Sequence, residues 1–373
     1  MTKVLHILTD SNIGGAGRYL INYLKHCDRS RFDLRVVLPR GSLLKAEVLA
    51  LDTPVIEVDG IAEKSFSLRA VKELKQVISR ENPDIIHTHG SLSGRIAGRQ
   101  CGARVLYTRH CVFPLAGYIK RGPVHWLYGM INRHYADHAI AVSPAAAENL
   151  TDMGVPDGMI TVMMNGAAAL ERGSPETCRA LRQRWNIPEG VFTAGILARL
   201  EPYKGQMLLL DAAKLLLDQG REFCILIGGA GSQEQALRER IQALGLSGRV
   251  LLLGFVENVA EVLSILDVQL NCSYGTETSS IAIIEGMSMG LPSVASNYGG
   301  NPWLVDDGVS GLLFESGNAR DLAEKLAQMM DDPEKRGALG RGARQAYETR
   351  FTGEIYAKNV EDVYRNMMDT KVR

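Results

Sequence analysis

The chain has 373 residues, a length that favours two domains because a single hydrophobic core rarely grows beyond about 250–300 residues. Hydrophobic residues make up 46% and charged residues 23% of the sequence, which is typical of a folded globular protein and excludes a disordered chain. Forty-two basic residues balance 42 acidic ones, so the net charge gives no reason to expect nucleic acid as the main ligand.

Cysteine usage and the N-terminus point to a cytoplasmic protein. The six cysteines are scattered without a Cys-x-x-Cys pair, which indicates neither a zinc site nor a disulfide framework and fits a reducing compartment. The sequence enters a strand-like run at Val4–Leu8 with none of the features of a signal peptide. It also has no apolar run of about 18 residues, so we expect no membrane-spanning helix.

Short apolar, β-branched runs alternate with longer helical patterns along the chain, a rhythm that predicts parallel βαβ units. A first series of predicted strands comprises Val4–Leu8, Leu34–Leu38, Val55–Val58, Ile85–His87, Val105–Thr108, Ala139–Val142 and Ile160–Met164. A second series comprises Thr193–Leu197, Cys224–Ile227, Val250–Leu253, Val268–Asn271 and Ser293–Ala295. Two series of this kind predict two doubly wound α/β domains of the Rossmann type.

The domain boundaries follow from composition. Residues 1–168 are predicted as the N-terminal domain, and the polar stretch 169–190, which contains Pro and Gly, as an interdomain connection. Residues 191–352 are predicted as the C-terminal domain, and 353–373 as a helix that packs back on the first domain. We expect the carboxyl ends of both sheets, where such domains bind ligands, to face one central cleft.

Residues 274–296 are the most informative segment: a loop after a strand, an apolar helix, Gly-Leu-Pro and another strand. The first N–H groups of that helix, near Ser279, Ser280 and Ile281, would point at a bound anion such as a diphosphate. Glu277 in the loop and Glu285 in the helix would flank this site and accept hydrogen bonds from sugar and ribose hydroxyls. Taken alone, a loop glutamate and a helix-surface glutamate are usually only solvated.

The spacing of Glu277 and Glu285, followed by Gly-Met-Ser-Met-Gly-Leu-Pro, resembles the donor-site signature of the retaining group 1 glycosyltransferases, glycosyltransferase family four. The run 195–205, with Arg199 and Lys204, is similar to the segment that neutralises the donor diphosphate in that family. The resemblance implies the two-domain GT-B fold, with residues 1–168 as the acceptor-side domain and residues 191–352 as the nucleotide-sugar-binding domain, and catalysis without a metal ion. Because the sequence has no Asp-x-Asp pair, cationic side chains are the natural alternative for stabilising a leaving phosphate.

Weaker parts of the resemblance involve three further residues. Gly15 lies in a glycine-containing loop after the first strand, and the resemblance places it near the diphosphate; a glycine needed only for packing is the alternative. His110 follows a predicted strand, where the family has a histidine that contacts the transferred sugar. Val256 follows another strand and is expected to contact the base. Residues 165–168 are Asn-Gly-Ala-Ala where the family usually has Asn-Gly-Val-Asp, and this difference leaves the role of Asn165 open.

A metal site at His87 and His89 is not expected, on the interpretation that the two side chains lie on opposite faces of one strand and make a poor chelate. The segment 113–134 combines aromatic with basic residues. That combination suits a membrane interface, in which case the acceptor would be lipid-linked, or equally an ordinary loop and helix packed on the first domain.

The sequence therefore predicts a metal-independent, retaining hexosyltransferase that uses a nucleotide-diphosphate sugar, UDP by family frequency, to build a cell-surface polysaccharide or glycolipid. Its expected location is the cytoplasm, or the inner face of the plasma membrane if the segment 113–134 contacts lipid. By resemblance, Glu277 and His110 orient the sugar, Arg199 and Lys204 stabilise the departing phosphate, Glu285 holds the ribose, and displacement occurs on the front face of the sugar. The alternatives are a sugar-nucleotide 2-epimerase, an NAD-dependent dehydrogenase, disfavoured by the imperfect glycine motif, and a non-catalytic sugar-nucleotide-binding protein.

Overall fold

The computed structural model describes residues 1–12, 14–112 and 115–369, except for the side chain of Tyr118. The chain divides into two compact units. One unit contains Met1–Gly166 together with Gly353–Arg373, and the other contains Ala167–Thr352. Each unit is a parallel sheet with helices, so both predicted α/β domains are present.

Within the described residues, the sheet of the first unit has seven strands: β1 (Thr2–Leu8), β2 (Phe32–Pro39), β3 (Val55–Val58), β4 (Ile85–His89), β5 (Arg104–Arg109), β6 (His138–Ala141) and β7 (Ile160–Val162). All seven strands are parallel, in the order β3-β2-β1-β4-β5-β6-β7. The strand order reverses between β1 and β4, because the chain adds strands from β1 to β3 on one side and then from β4 to β7 on the other. The helices up to β7 are α1 (Gly15–His26), α2 (Leu44–Leu49), α3 (Leu68–Glu81), α4 (Leu92–Gln100), α5 (Gly117–Lys120), α6 (Gly122–His134) and α7 (Pro144–Asp152).

Strand β1 shows how this sheet is buried on both faces. Val4 and Leu8 pack into the cluster that contains the buried side of α1, whereas Leu5 and Ile7 pack into the cluster that contains α3. All four side chains are fully buried, as expected where helices cover both faces of a parallel sheet. His6 lies between Val4 and Leu8 on the same face, so a polar ring is built into an apolar row.

The second unit repeats the plan with six strands in the described part of the chain: β8 (Phe192–Leu197), β9 (Phe223–Gly228), β10 (Val250–Gly254), β11 (Val268–Asn271), β12 (Ser293–Ser296) and β13 (Gly311–Phe314). They are parallel in the order β10-β9-β8-β11-β12-β13, which reverses between β8 and β11. Its helices are α8 (Pro175–Arg184), α9 (Gln206–Asp218), α10 (Glu234–Ala243), α11 (Val259–Ser264), α12 (Ile281–Ser288), α13 (Asn301–Leu304), α14 (Ala319–Asp331) and α15 (Pro333–Ala346).

All twelve predicted strands are present, and the structure adds β13, which the sequence analysis missed. The run Gly311–Phe314 is only four residues long, and a short apolar run cannot be assigned by periodicity alone. The predicted strand Ile160–Met164 is shorter in the structure, where it ends at Val162.

The two units are not two consecutive stretches of sequence joined by a plain linker, as two segments show. The stretch 169–190, predicted as a connection, contains α8, whose Leu181 is buried with Leu226 of β9 in the second unit. Beyond Thr352 the chain returns to the first unit as α16 (Gly353–Asp369). Six side chains of α16 at helical spacing are buried against the α1 side of the first sheet: Tyr356, Ala357, Val360, Val363, Tyr364 and Met367.

Candidate active site

The loops that follow β8 and β11 meet at the point where the strand order of the second sheet reverses. Arg199 and Lys204 follow β8, and Glu277 follows β11, its neighbour in the sheet. Ligands of open α/β sheets bind outside the carboxyl ends of the strands at such a reversal. The structure therefore brings three of the predicted site residues to the expected position within one unit.

The buried Glu277 and the half-buried Lys204 form an ion pair at this position. Lys204 Nζ lies 2.8 Å from Glu277 Oε2, and Glu277 is only 6% exposed. Asn271 Nδ2, at 3.2 Å, and Ser273 Oγ, at 2.9 Å, donate to the same oxygen. Burial alone would raise the pKa of Glu277, but the charge of Lys204 and these three hydrogen bonds hold it below the usual value. Glu277 is therefore an ionised carboxylate.

Three side chains near the ion pair were missed by the sequence analysis: Asn271, Ser273 and Asn301. Asn271 Oδ1 accepts from the Ser273 backbone N–H at 3.1 Å, which directs the Asn271 amide group towards Glu277. Buried Asn301 donates to Asn271 Oδ1 at 3.4 Å and to Ser296 Oγ at 3.1 Å. A signal for Asn271 was present, since it is a polar residue at the carboxyl end of β11, directly before the loop that carries Glu277.

Glycines shape the backbone around the ion pair. Gly205, directly after Lys204, has φ +75°, and a Cβ there would lie 2.0 Å from the Cys272 carbonyl oxygen. Gly300 lies against the loop of Glu277, where a Cβ would stand 1.5 Å from the Thr278 carbonyl oxygen. No side chain fits at either position without a backbone shift. These close approaches fix the backbone of the two loops that carry Lys204 and Glu277.

Arg199 is exposed and lies beside the ion pair in sequence and fold. Its Nη2 donates to the Tyr203 hydroxyl at 2.8 Å, and its carbonyl oxygen accepts from Gln206 Nε2 at 2.9 Å. Gln206 is buried at the start of α9, so the backbone of Arg199 is fixed while its guanidinium remains in contact with solvent. A solvent-accessible guanidinium on a fixed backbone is suited to meeting an incoming anion.

The start of α12 provides backbone donors near Glu277. Ser280 caps the helix by accepting from the Ile283 N–H at 3.4 Å, and Ser279 and Ser280 are both buried. The N–H of Ile281 belongs to the first turn, whose amide groups have no intrahelical acceptor. Glu285 is half-buried one turn further along the same helix. The helix therefore begins at the predicted position, and the binding of an anion there remains a prediction.

Val256 follows β10 on the other side of β9 and is half-buried. Its Cγ2 would stand 2.8 Å from a Cβ at Gly228, the last residue of β9, so the two loops are in close contact. Gly229 N donates to the Gly254 carbonyl at 2.7 Å. The contact of Val256 with a base remains a prediction.

In the first unit, Gly15 begins α1 and is exposed. A Cβ at Gly15 would meet no atom within 4 Å, so packing within the described structure does not require glycine there. A role in close approach to a ligand is therefore favoured over a packing role. Ile13 of the same loop lies outside the described residues.

His110 lies just beyond β5 and is linked to His89, whose Nδ1 is 3.0 Å from His110 Nε2. Burial, with the positive charge of Arg109, lowers the pKa of His110 to about 3, so the ring is neutral. A neutral imidazole offers one donor and one acceptor, which suits contact with a sugar hydroxyl. Asn165, also in this unit, is buried, and its role stays open.

The prediction against a metal at His87 and His89 rested on a wrong geometry. Residues two apart in a strand point to the same face, and the two rings stack with centroids 4.5 Å apart. With His6 they place one nitrogen each within 4.8 Å of one another. Every ring nitrogen of these three histidines, however, lies within hydrogen-bond distance of another described group. A metal ion would have to displace those contacts.

The described part of the segment 113–134 forms α5 and α6. Four of its large apolar side chains are exposed: Trp126 (61%), Leu127 (44%), Tyr128 (37%) and Met130 (40%). Phe113, which was part of this prediction, lies outside the described residues, as does the side chain of Tyr118. Packing of the helix on the first unit therefore leaves an apolar face uncovered.

Two family matches follow the division of the chain. Residues 13–168 match "Glycosyltransferase Family 4", and residues 179–346 match "Glycosyl transferases group 1". The chain belongs to the group 1 glycosyltransferases, family 4. The matches do not favour the epimerase, dehydrogenase and non-catalytic alternatives.

Individual relatives agree with this assignment. The glycosyltransferase is 24% identical to an Escherichia coli UDP-Gal:alpha-D-GlcNAc-diphosphoundecaprenol alpha-1,3-galactosyltransferase, over 99% of this chain and 98% of the relative. It is 28% identical to the D-inositol 3-phosphate glycosyltransferase of Saccharomonospora viridis, over 76% of this chain and 70% of the relative. The solved structure of Anabaena HepE with UDP-glucose has a TM-score of 0.84 at 24% identity, covering 98% of this chain and 100% of HepE.

The structural likeness confirms the predicted GT-B fold class. Membership of the group 1 glycosyltransferases makes glycosyl transfer the activity of this protein. None of the described helices is both long enough and apolar enough to cross a bilayer.

Proposed function

We propose that this glycosyltransferase moves a hexose-type sugar from a UDP-sugar to a glycan or lipid-linked acceptor, with retention of anomeric configuration and without a metal ion. The observation that carries the proposal is the ion pair of Lys204 with the buried Glu277 at the strand-order reversal, with Arg199 nearby in the loop after β8. UDP is supported by HepE, which was solved with UDP and with UDP-glucose, and by the E. coli relative, whose name specifies UDP-Gal.

The diphosphate is assigned to the cationic side of this site. Its charge would be met by Arg199, Lys204 and the first N–H groups of α12 at Ser280 and Ile281. These groups supply fixed positive charge where negative charge develops on the leaving phosphate. That role is the one a divalent cation plays in other transferases, which is why we propose that none is needed here.

Glu277 is assigned to the sugar. Its Oε2 accepts from Lys204, Asn271 and Ser273, whereas no side chain among the described residues donates to Oε1. An ionised oxygen held in one orientation is a strong acceptor for a sugar hydroxyl. His110 in the first unit is assigned to a second sugar contact, Glu285 to the ribose hydroxyls and Val256 to the base, as the family resemblance implies.

Retention by front-face displacement is proposed from the same resemblance. No described side chain stands out as a covalent nucleophile, since the Glu277 carboxylate is already bound through Oε2 by three donors. Its low pKa also makes it a weak base. These properties suit a group that orients the sugar and not one that attacks it.

The proposal is tested by incubating the purified protein with UDP-glucose, UDP-galactose and UDP-N-acetylglucosamine, with and without a lipid-linked diphosphate-sugar acceptor. We expect UDP release that depends on the acceptor, and a product whose anomeric proton shows by NMR the same configuration as in the donor. The variant Glu277→Gln should lose at least about 100-fold in kcat. Glu234→Gln, which changes a partly exposed glutamate paired with Arg238 on the outer face of α10, is the matched control and should behave as wild type. Inverted product, or full activity of Glu277→Gln, would contradict the proposal.

We further propose that the exposed face of α6 brings the enzyme to the inner face of the cytoplasmic membrane, where a lipid-linked acceptor is located. Trp126, Leu127 and Met130 are exposed on neighbouring turns, and Lys120, Arg121 and Arg133 lie nearby in sequence. Exposed aromatic and aliphatic groups combined with basic residues favour anionic lipid surfaces.

Vesicle flotation tests this membrane contact. The protein should float with phosphatidylglycerol vesicles and much less with phosphatidylcholine vesicles, and high salt should weaken the binding. The double variant Trp126→Ser/Leu127→Ser should lose flotation, whereas Phe255→Ser, at an exposed apolar residue of the second unit, should not. Equal flotation of all three proteins would contradict the proposal.

A further inference from the structure

A continuous row of hydrogen bonds runs through the core of the first unit and ends at His110. We call the six side chains the histidine row; in order they are Thr108, His87, Tyr364, His6, His89 and His110. The links are Thr108 Oγ1 to His87 Nε2 (2.7 Å), His87 Nδ1 to Tyr364 Oη (2.7 Å), Tyr364 Oη to His6 Nε2 (3.4 Å), His6 Nδ1 to His89 Nε2 (3.2 Å) and His89 Nδ1 to His110 Nε2 (3.0 Å).

The row exists because three neighbouring strands place polar side chains on one face. His6 of β1 is in register with His87 of β4, and His89 is in register with Thr108 of β5. Tyr364 enters the row from α16, which covers this face. The buried members have at most 3% exposure, so water does not compete for these links.

The four rings of the row are neutral. Burial, with a smaller effect of Arg29, lowers the pKa of His6 to about 3, and burial lowers the pKa of His87 and His89 well below the usual value. A neutral imidazole carries one proton, so it donates through one nitrogen and accepts through the other. Each link therefore needs its single proton from one of its two members.

The geometry allows two complete arrangements. Each ring is joined to its predecessor through Nε2 and, in the three inner rings, to its successor through Nδ1. If Thr108 donates, all four rings carry the proton on Nδ1; if His110 donates, all four carry it on Nε2. A mixed arrangement leaves a buried link with two protons or with none or, where His87 and His6 both donate to Tyr364 Oη, leaves the tyrosine proton without an acceptor in the row; each outcome is unfavourable in a dry core.

We infer that the histidine row is a positioning device for His110. It fixes which ring nitrogen of His110 carries the proton and holds the ring at the end of β5, and so determines whether His110 offers the sugar a donor or an acceptor. The inference rests on the proposed contact of His110 with the transferred sugar. His6, His87, His89 and Tyr364 are positioning residues, because in this arrangement they act on the substrate only through His110.

A matched pair of tyrosines allows a kinetic test. Tyr364 and Tyr23 are both buried, with ring centroids 6.0 Å apart, but the Tyr23 hydroxyl has no hydrogen-bond partner among the described residues. Tyr364→Phe therefore breaks the row by removing one oxygen atom, whereas Tyr23→Phe removes an oxygen atom outside it. We expect Tyr364→Phe to lower kcat about 10- to 100-fold with UDP affinity unchanged, and Tyr23→Phe to stay within about twofold of wild type.

A spectroscopic test needs neither donor nor turnover. In the protein labelled with ¹⁵N-histidine, the nitrogen shifts distinguish protonated from unprotonated ring nitrogens, and single His→Gln variants assign the signals. We expect His6, His87, His89 and His110 to show one and the same tautomer. Mixed tautomers among the four rings, a stoichiometric metal ion bound to their nitrogens, or wild-type kcat in Tyr364→Phe would overturn the inference. Failure of the proposed function appears separately, as absence of glycosyl transfer by the wild-type protein.

Discussion

Lys204 Nζ lies 2.8 Å from Glu277 Oε2, although the two residues are 73 positions apart in the sequence. The contact exists because β8 and β11 are neighbours in the second sheet and each residue follows its strand. The pair places a cation and an anion side by side at the site where a diphosphate and a sugar are proposed to bind. Each charge therefore holds the other in place before the donor arrives.

Removing the cation should be costly for both stability and activity. Lys204→Met leaves the ionised, buried carboxylate of Glu277 without its counter-charge, and we expect the free energy of unfolding to fall by about 3 kcal/mol. The double variant Lys204→Met/Glu277→Gln should lose less than the sum of the single variants. Urea unfolding of the four proteins measures this coupling. Strictly additive losses would mean that the two side chains do not interact.

Arg199 should act on turnover more than on stability. Its guanidinium is exposed and bonded only to the Tyr203 hydroxyl among the described residues, so Arg199→Ala should leave the melting temperature within about 2 °C of wild type. Loss of a cation facing the leaving phosphate should lower kcat by about 100-fold or more. Arg238→Ala, at an exposed surface pair on α10, is the control and should leave kcat unchanged. Equal activity of both variants would remove Arg199 from the site.

The backbone at Gly205 should tolerate no side chain. Gly205 and Gly220 have φ of +75° and +73°, but only Gly205 is crowded, because a Cβ atom there would stand 2.0 Å from the Cys272 carbonyl oxygen. We expect Gly220→Ala to cost about 1–2 kcal/mol, the usual penalty for a left-handed backbone. Gly205→Ala should cost clearly more and weaken UDP binding. Thermal unfolding and calorimetry compare the two; equal costs would show that crowding at Gly205 has no effect.

Acid should destabilise the first unit before the second. All eight histidines lie within residues 1–166, and those of the histidine row are neutral when folded. A histidine whose folded pKa is lowered from 6.5 to about 3 stabilises the fold fully above pH 6.5. That stability is lost as the pH falls towards the folded pKa, because the unfolded chain then binds the proton. Between the two pKa values, each such ring lowers the free energy of unfolding by about 1.4 kcal/mol for every unit by which the pH falls.

His6 and His110 together should therefore lower the stability of the first unit by about 3 kcal/mol between pH 6.5 and 5. Native-state hydrogen exchange at both pH values gives the free energy of opening for individual amides. It therefore measures the stability of each unit separately. Amides of β1 and β4 should lose protection free energy, and those of β8 and β9 should change little. A uniform loss in both sheets would contradict the assignment.

The sequence predicted twelve of the thirteen described strands because most are apolar runs of four or more residues between turn signals. It predicted Arg199, Lys204 and Glu277 as site residues through the family resemblance. The ion pair itself was not predictable, because it depends on which strands are neighbours in the sheet and not on spacing in the chain. The same holds for Asn271 and Asn301, which contact each other across 30 positions.

The histidine row shows a different kind of gap. His6 was overlooked although a histidine inside an apolar strand is a visible signal, and His87 and His89 were assigned to opposite faces although residues two apart share one face. The link through Tyr364 was beyond any local pattern, since it joins residues 277 positions apart. Buried polar networks of this kind are assembled from distant segments and become visible only in three dimensions.

The measurement that tests the proposed donor site most directly is a calorimetric titration of the purified protein with UDP, GDP and NAD in the presence of EDTA. We expect saturable, one-to-one binding of UDP without metal, weakened at least about tenfold in Lys204→Met. Binding of NAD alone, or no binding of UDP until a divalent metal ion is restored, would contradict the proposed donor site.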